Sequence, residues 1–286
     1  MRSYSVREVF GTMPRATNRS ADGGGNSSQQ PPGAVWHPTV MKKAALPLLL
    51  LATLGWTSTA HAGVETDIEA GVVFATRNDA RIPGNGGSDL SLVDDLKTSP
   101  APAFRLRLGY RLGQRHVVTA LYAPLQVNAR GTLDRDVSFM GTSYPAGSPL
   151  LAVYRFNSYR LTYRYSIIWR ENLDVAAGFT GKIRDAETSL YGVEARRKTN
   201  IGFVPLLNVH VAWRPRGGAF GVVLDADALA APQGRAEDVL LAATWRVRDA
   251  VELRVGYRTV EGGADNDQVY SFAWFHYVVA GLAVGF

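Results

Sequence analysis

Apolar and polar side chains alternate along most of this 286-residue chain, in segments that begin near residue 64 and follow one another to the last residue. Such alternation is typical of β-strands, because successive side chains of a strand point to opposite faces. The pattern predicts an all-β chain of about ten antiparallel strands. The predicted segments are 64–75, 104–112, 116–128, 153–169, 173–187, 200–213, 219–229, 239–247, 251–260 and 268–286.

Each predicted strand has an apolar row and an opposite row. In segment 104–112, Phe104 and Leu108 alternate with Arg105 and Arg107, and in segment 116–128 we assign the row of Val117 to the apolar face. We expect the charged side chains of the opposite rows to share one face of the sheet and to pair there. That charged set comprises Glu65, Asp67, Glu69, Arg105, Arg107, Arg160, Arg164, Lys182, Arg184, Asp225, Asp227, Glu252, Arg254 and Arg258.

The last segment carries the most specific evidence for the class of fold. Its apolar row, which includes Val278, Leu282 and Val284, ends on Phe286. A final strand of this kind resembles the C-terminal signature of bacterial outer-membrane β-barrel proteins. The resemblance implies a transmembrane up-and-down antiparallel β-barrel, whose last strand pairs with the first and is recognised by the barrel-assembly machinery. Transmembrane barrels have an even strand count, and their outward rows face lipid.

Connection lengths and aromatic positions support this fold. The connections GQR, REN, RPRGG and RD are tight, whereas 76–103, 129–152, 188–199, 230–238 and 261–267 are longer. The alternation predicts short periplasmic turns, long extracellular loops and periplasmic termini. Aromatic residues prefer the membrane–water interface, so the aromatic residues at strand ends near the tight turns predict an interfacial girdle. Its predicted members are Tyr110, Trp169, Trp213, Trp245 and Phe286.

The rival fold is a soluble β-barrel or sandwich, in which the apolar rows would point inward. The girdle and the terminal Phe286 favour the membrane barrel. Within a ten-stranded lumen, the charged set predicts either a salt-bridged plug that rigidifies the barrel or a narrow, arginine-lined path that favours anions. The sequence leaves open whether segments 76–103 and 129–152 fold in and close the mouth.

The N-terminal region has the features of an export signal. Segment 41–62 has two lysines, a short apolar core and an Ala-His-Ala site, as in a secretory signal peptide. We therefore expect 63–286 to form the barrel, and residues 1–40 to be a mis-assigned start or a disordered extension. Residues 1–62 hold six of the 31 basic and two of the 25 acidic residues, so the net charge of +6 falls to +2 without them. The basic balance therefore does not indicate nucleic-acid binding.

Catalytic and metal-binding candidates are sparse. The chain has no cysteine, which excludes thiolate chemistry. We expect His116, His210 and His276 to be structural, because the sequence places no partner pattern for acid–base catalysis beside them. The paired aspartates of the omptin proteases are not apparent here, and the chain resembles that ten-stranded class only in strand count. Acidic residues in segment 76–103, such as Asp94 and Asp95, lack the spacing of a calcium loop.

We therefore predict a non-enzymatic barrel of a Gram-negative outer membrane, either a structural or surface element or a narrow solute pore, without cofactor or metal. The alternative is a surface hydrolase, acting on protein or lipid A, whose site at the extracellular rim is not recognisable in the sequence. Expected surroundings and partners are outer-membrane lipid, lipopolysaccharide, the assembly machinery and small solutes. Segment 136–156, with Phe139 and Tyr144, is expected to form an extracellular hairpin or, alternatively, to contact a partner.

Overall fold

The structure, a computed structural model, describes residues 62–232 and 234–285. The predictions for residues 1–40, for the signal peptide up to residue 61 and for Phe286 lie outside the described residues. In the described part of the chain, no helix is long and apolar enough to cross a bilayer.

The described residues are almost entirely β-strand. The strands are β1 (Ala62–Arg81), β2 (Leu90–Ser91), β3 (Lys97–Thr98), β4 (Ala101–Leu112), β5 (His116–Ala123), β6 (Gln126–Thr132), β7 (Val137–Phe139), β8 (Thr142–Tyr144), β9 (Pro149–Arg170), β10 (Leu173–Tyr191), β11 (Ala195–Trp213), β12 (Phe220–Ala231), β13 (Gly234–Arg248), β14 (Val251–Asn266) and β15 (Val269–Gly285).

Ten antiparallel wall strands close into a barrel over residues 62–232 and 234–285. The third wall strand is made of β5 and β6, which both pair with β9 on either side of a break at residues 124–125. The ring closes where β1 pairs with β15, for example Ile68 with Leu282. Closure removes both sheet edges, so that no row of backbone groups is left unpaired in an apolar solvent. The predicted fold class and strand number are confirmed.

The two ends of the barrel differ. The terminal end holds both ends of the described chain and the turns at 113–115, 171–172, 214–219 and 249–250; the loop end holds the segments 82–100 and 133–148. The predicted long loops at 188–199, 230–238 and 261–267 are wrong. There, the flanking strands continue as paired hairpins and leave only short connections. The alternation of short and long connections therefore holds in only two of five places.

The side chains of the wall are inverted relative to those of a soluble protein. Leu161, Phe179 and Phe203 on the outer wall are 61–68% exposed, whereas the lumenal Arg160 and Arg258 are 6% and 2% exposed. Apolar rows on the outside fit a lipid solvent, and charged rows inside fit a shielded lumen. The soluble-barrel alternative is therefore wrong, because it requires the opposite arrangement.

One predicted row is reversed. Val117 and Leu121 of β5 are buried in the lumen, at 2% and 8% exposure, and not on the outer wall. Both rows of β5 are mostly apolar, so alternation alone does not distinguish them. The register decides, because Leu121 pairs with Arg107 on one side and with Arg160 on the other, and paired residues share a face.

The loop end of the lumen is filled by an apolar plug. Leu90, Leu92 and Leu96 of segment 82–100 are each 1% exposed, and Phe139 and Tyr144 of the β7–β8 hairpin are 1% and 0% exposed. They pack against apolar lumenal side chains of the surrounding strands. The alternative expectation, that Phe139 and Tyr144 contact a partner, is therefore wrong, because both rings are buried in this internal packing. We call this cluster the apolar plug.

A salt bridge joins the two segments of the apolar plug. Nη1 and Nη2 of Arg135 donate to the carboxylate of Asp95 at 2.6 and 2.7 Å, and the backbone N–H of Ser91 donates to the same carboxylate at 2.8 Å. The hydrogen bonds from Arg135 are the main reason that the pKa of Asp95 lies below its usual value. This contact holds segment 82–100 against segment 133–148.

Candidate functional site in the barrel lumen

The middle of the lumen is crossed by a layer of buried charges. We call it the central layer; it consists of Glu69, Arg105, Arg160, Asp227, Asp238 and Arg258. Asp238 is its centre, since it accepts hydrogen bonds from Arg105 at 2.9 Å, Arg160 at 2.6 Å and Arg258 at 2.5 Å. These three arginines come from β4, β9 and β14, so Asp238 links distant parts of the ring.

The other two carboxylates complete the central layer. Glu69 accepts two hydrogen bonds from Arg258, both at 2.9 Å. Asp227 accepts from Arg160 at 2.7 Å, Thr180 at 2.7 Å and Asn208 at 2.9 Å. Three arginines therefore face three carboxylates. Such geometry is what makes buried charges tolerable, because each loses water but gains charge-assisted hydrogen bonds.

A second group of charges lies next to the central layer, toward the terminal end. Arg254 donates to both oxygens of Asp67, at 2.5 and 2.6 Å, and Arg107 donates to Asp67 at 3.1 Å. Arg164 donates to Asp225 at 3.3 Å. Here three guanidinium groups share two carboxylates, although Arg254 also reaches Glu69 of the central layer at 2.9 Å.

Four members of the predicted charged set lie outside these two groups of ion pairs: Glu65, Lys182, Arg184 and Glu252. Lys182 is 3% exposed, and its Nζ lies 4.8 Å from the ring centroid of Phe156 in a cation–π contact. Arg184 donates to the side chain of Asn200 at 2.5 Å. Glu252 accepts a hydrogen bond from Arg214 near the terminal end.

The charged set predicted from the sequence omits the central residue of the network. Asp238 lies one residue before the predicted segment 239–247, within the predicted loop 230–238. Its signal was present, because Asp238 continues the row of Leu240, Ala242 and Thr244, which all face the lumen. Extending that row by two residues would have found it. Glu65, the remaining member of the predicted set, accepts a hydrogen bond from Arg111 at 3.1 Å.

The predicted aromatic girdle is only partly on the outer wall. Tyr110, Trp213 and Trp245 are 44–48% exposed on outward rows near the terminal end. The prediction that Trp169 belongs to the girdle is wrong. A β-bulge shifts the register between Val175 and Ala176 of β10, so that Trp169 pairs with the lumenal Asp174.

The guanidinium group of Arg111 lies 4.6 Å from the ring centroid of Trp169, on the lumenal side. This contact agrees with the reversed direction of the side chain, because a bulge inserts one residue and inverts every later position.

A cavity of about 370 Å³ opens between the second charged group and the terminal end. It is lined by charged side chains of β1, β4, β9, β12 and β14, and by Trp169. We call this cavity the basin. Toward the loop end, the central layer and then the apolar plug lie across the lumen, so the basin has its entrance at the terminal end.

The three histidines lie in different places. His210 faces the basin, with its Nδ1 3.4 Å from Asp225. His116 is on the outer wall near the terminal end, where its Nδ1 lies 2.8 Å from the hydroxyl of Tyr163. His276 is on the outer wall nearer the loop end. The described residues contain no group of three or more His, Cys, Asp or Glu side chains arranged to hold a metal ion.

The fold and its inverted polarity define a β-barrel of the bacterial outer-membrane type. Among solved structures, the chain is similar to the outer membrane protease OmpT from Escherichia coli, with a TM-score of 0.50 and 12% identity over 78% of this chain and 97% of that chain. OprG from Pseudomonas aeruginosa also matches, with a TM-score of 0.30 and 10% identity over 79% of this chain and 97% of that one. At 12% identity, the likeness to the OmpT structure shows the fold alone. No family model and no curated protein matches the chain.

Proposed function

We propose that this protein is a non-enzymatic outer-membrane barrel with a closed lumen, which serves as a structural or surface element. The observation that carries the proposal is the double closure of the lumen. The central layer joins six charged side chains across the middle, and the apolar plug fills the loop end. A narrow solute pore, the other possibility raised by the sequence, would need a continuous wet path past both obstacles.

The proposed orientation and surroundings follow from the wall. We place the termini in the periplasm and the loop end outside, as in barrels with an even number of strands. The outward apolar rows would contact outer-membrane lipid, and the loop end would contact lipopolysaccharide. The last strand would be the segment that the barrel-assembly machinery recognises, and the proposal includes no nucleic-acid partner.

Planar-bilayer conductance of the refolded protein tests the proposal. The closed lumen predicts no unit steps from a barrel that is shown to be folded and inserted by its heat-modifiable mobility. Replacing Arg160 and Arg164 by glutamate provides the internal control. Steady steps in the wild type, with an anion preference that reverses in the double variant, would establish the arginine-lined pore instead.

A second candidate, the surface hydrolase, is supported by one cluster on the outer wall. Nε2 of His276 lies 2.7 Å from the hydroxyl of Thr76, and its Nδ1 contacts the hydroxyl of Tyr257. The β-bulge between Ala75 and Arg77 places Thr76 there. A hydroxyl beside an imidazole is the pairing of an activated nucleophile and its base.

The alternative function of this cluster is structural. The same contacts join β1, β14 and β15 at the seam of the barrel, and they satisfy a polar side chain in an apolar environment. Ester hydrolysis by the wild type, lost in both His276→Ala and Thr76→Val while folding is retained, would favour the hydrolase. Equal background rates in all three proteins would reject it.

A further inference from the structure

On the floor of the basin, arginine side chains outnumber carboxylates. Within its floor, Arg107, Arg164 and Arg254 share the carboxylates of Asp67 and Asp225. The side chains of Arg164 and Arg254 are only 12% and 11% exposed, so solvent screening of this excess positive charge is weak. The floor of the basin therefore attracts anions.

The rim of the basin adds a further arginine. Arg246 pairs in the sheet with Glu252, whose side chain is bonded to Arg214, and it therefore belongs to a lumenal row. Arg246 itself is exposed and forms no ion pair with a described residue. An exposed guanidinium group without an ion-pair partner at the entrance can bind an incoming oxyanion.

Several buried polar atoms that line the basin have no hydrogen-bond partner among the described residues. The Nε atoms of Arg214 and Arg254 are buried and have no acceptor in the described part of the chain. A buried donor without an acceptor costs free energy, which an incoming oxygen atom would recover. Oδ1 of Asp174 is the corresponding orphan acceptor, and it fits a ligand that also carries a hydroxyl.

From these observations we infer that the basin is a blind binding site for a small oxyanion, a hydroxylated polycarboxylate or a phosphate compound, that enters from the terminal end. Its volume of about 370 Å³ suits a small molecule. Arg107, Arg164 and Arg254 bind the anionic groups from the floor, and Arg246 binds from the rim. The direction of entry rests on the proposed closed lumen, whereas the affinity rests only on the arginines.

Isothermal titration calorimetry of the full-length protein, refolded in a non-ionic detergent at low salt, tests this site. The probes are citrate, a hydroxylated tricarboxylate, and inorganic pyrophosphate. We expect saturable binding of at least one probe, weakened about tenfold by Arg246→Gln, which corresponds to about 1.4 kcal/mol. The tighter probe tells carboxylate from phosphate chemistry.

The matched control lies at the same end of the barrel but outside the basin. Arg115, in the turn at 113–115, lies over the outward-facing ring of Tyr165, with its guanidinium carbon 6.0 Å from the ring centroid, and it is not among the residues that line the basin. Arg115→Gln removes the same charge from the terminal end, and we expect it to leave the affinity within about twofold of wild type, because its charge lies outside the basin. No binding of either probe, or equal weakening by both substitutions, would overturn the inference. Conductance separately tests the closed lumen, so the two proposals can fail independently.

Discussion

The most informative perturbation of the central layer is Asp238→Asn. It keeps the size of the side chain but removes the charge that Arg105, Arg160 and Arg258 share. The asparagine amide would turn a donor toward guanidinium donors, and three buried arginines would then face two carboxylates. Removing one partner of a buried ion pair typically costs about 3–5 kcal/mol. Because Asp238 is 2% exposed, solvent does little to reduce this cost.

Urea unfolding of the lipid-reconstituted barrel, followed by tryptophan fluorescence, measures the effect. We expect the free energy of unfolding of Asp238→Asn to fall by about 3–5 kcal/mol. Glu237→Gln is the matched control, since the neighbouring side chain lies on the outer wall and should change stability by less than about 0.5 kcal/mol. Adding Arg105→Gln to Asp238→Asn restores the balance of charges, and should recover part of the loss. Equal effects of the two single substitutions would refute the role assigned to the central layer.

Three further predictions concern the seam, the plug and the girdle. Gly71→Ala should lower the yield of folded barrel in a gel-mobility assay, because a Cβ at this position would lie 2.1 Å from a backbone oxygen of β15. Gly109→Ala is the control and should fold in the same assay, because the atom nearest to its added Cβ lies at 3.4 Å. Because the folded-state pKa of Asp95 is lowered by Arg135, their contact stabilises the protein above the unfolded pKa and is lost as pH falls through the lowered value. The unfolding free energies of wild type and Arg135→Gln should therefore differ at pH 7 and converge as the pH falls through the lowered pKa of Asp95, and a constant difference would contradict this. Brominated lipids should quench Trp169 less than the outward-facing tryptophans of the terminal end, and equal quenching would place Trp169 in the girdle after all.

Most of the barrel could be predicted from the sequence, because a strand that separates lipid from a polar lumen must alternate at every position. Where both rows were apolar, as in β5, the same rule gave the wrong face for Val117. Where a bulge inserted a residue, as before Trp169, it gave the wrong face for a girdle residue. The predicted strands were too short at the loop end, and for this reason Asp238 was not recognised as a lumenal residue of β13.

The sequence by itself determined the class of fold, the approximate strands and most of the charges that line the lumen, since these depend on local periodicity. The tertiary structure decided which charges meet. Asp238 and Arg105 are 133 residues apart, and only closure of the ring brings them to 2.9 Å. It also decided that segments 82–100 and 133–148 fold inward as the apolar plug, because burial of Leu92 or Phe139 depends on the neighbours that surround them and not on their own sequence.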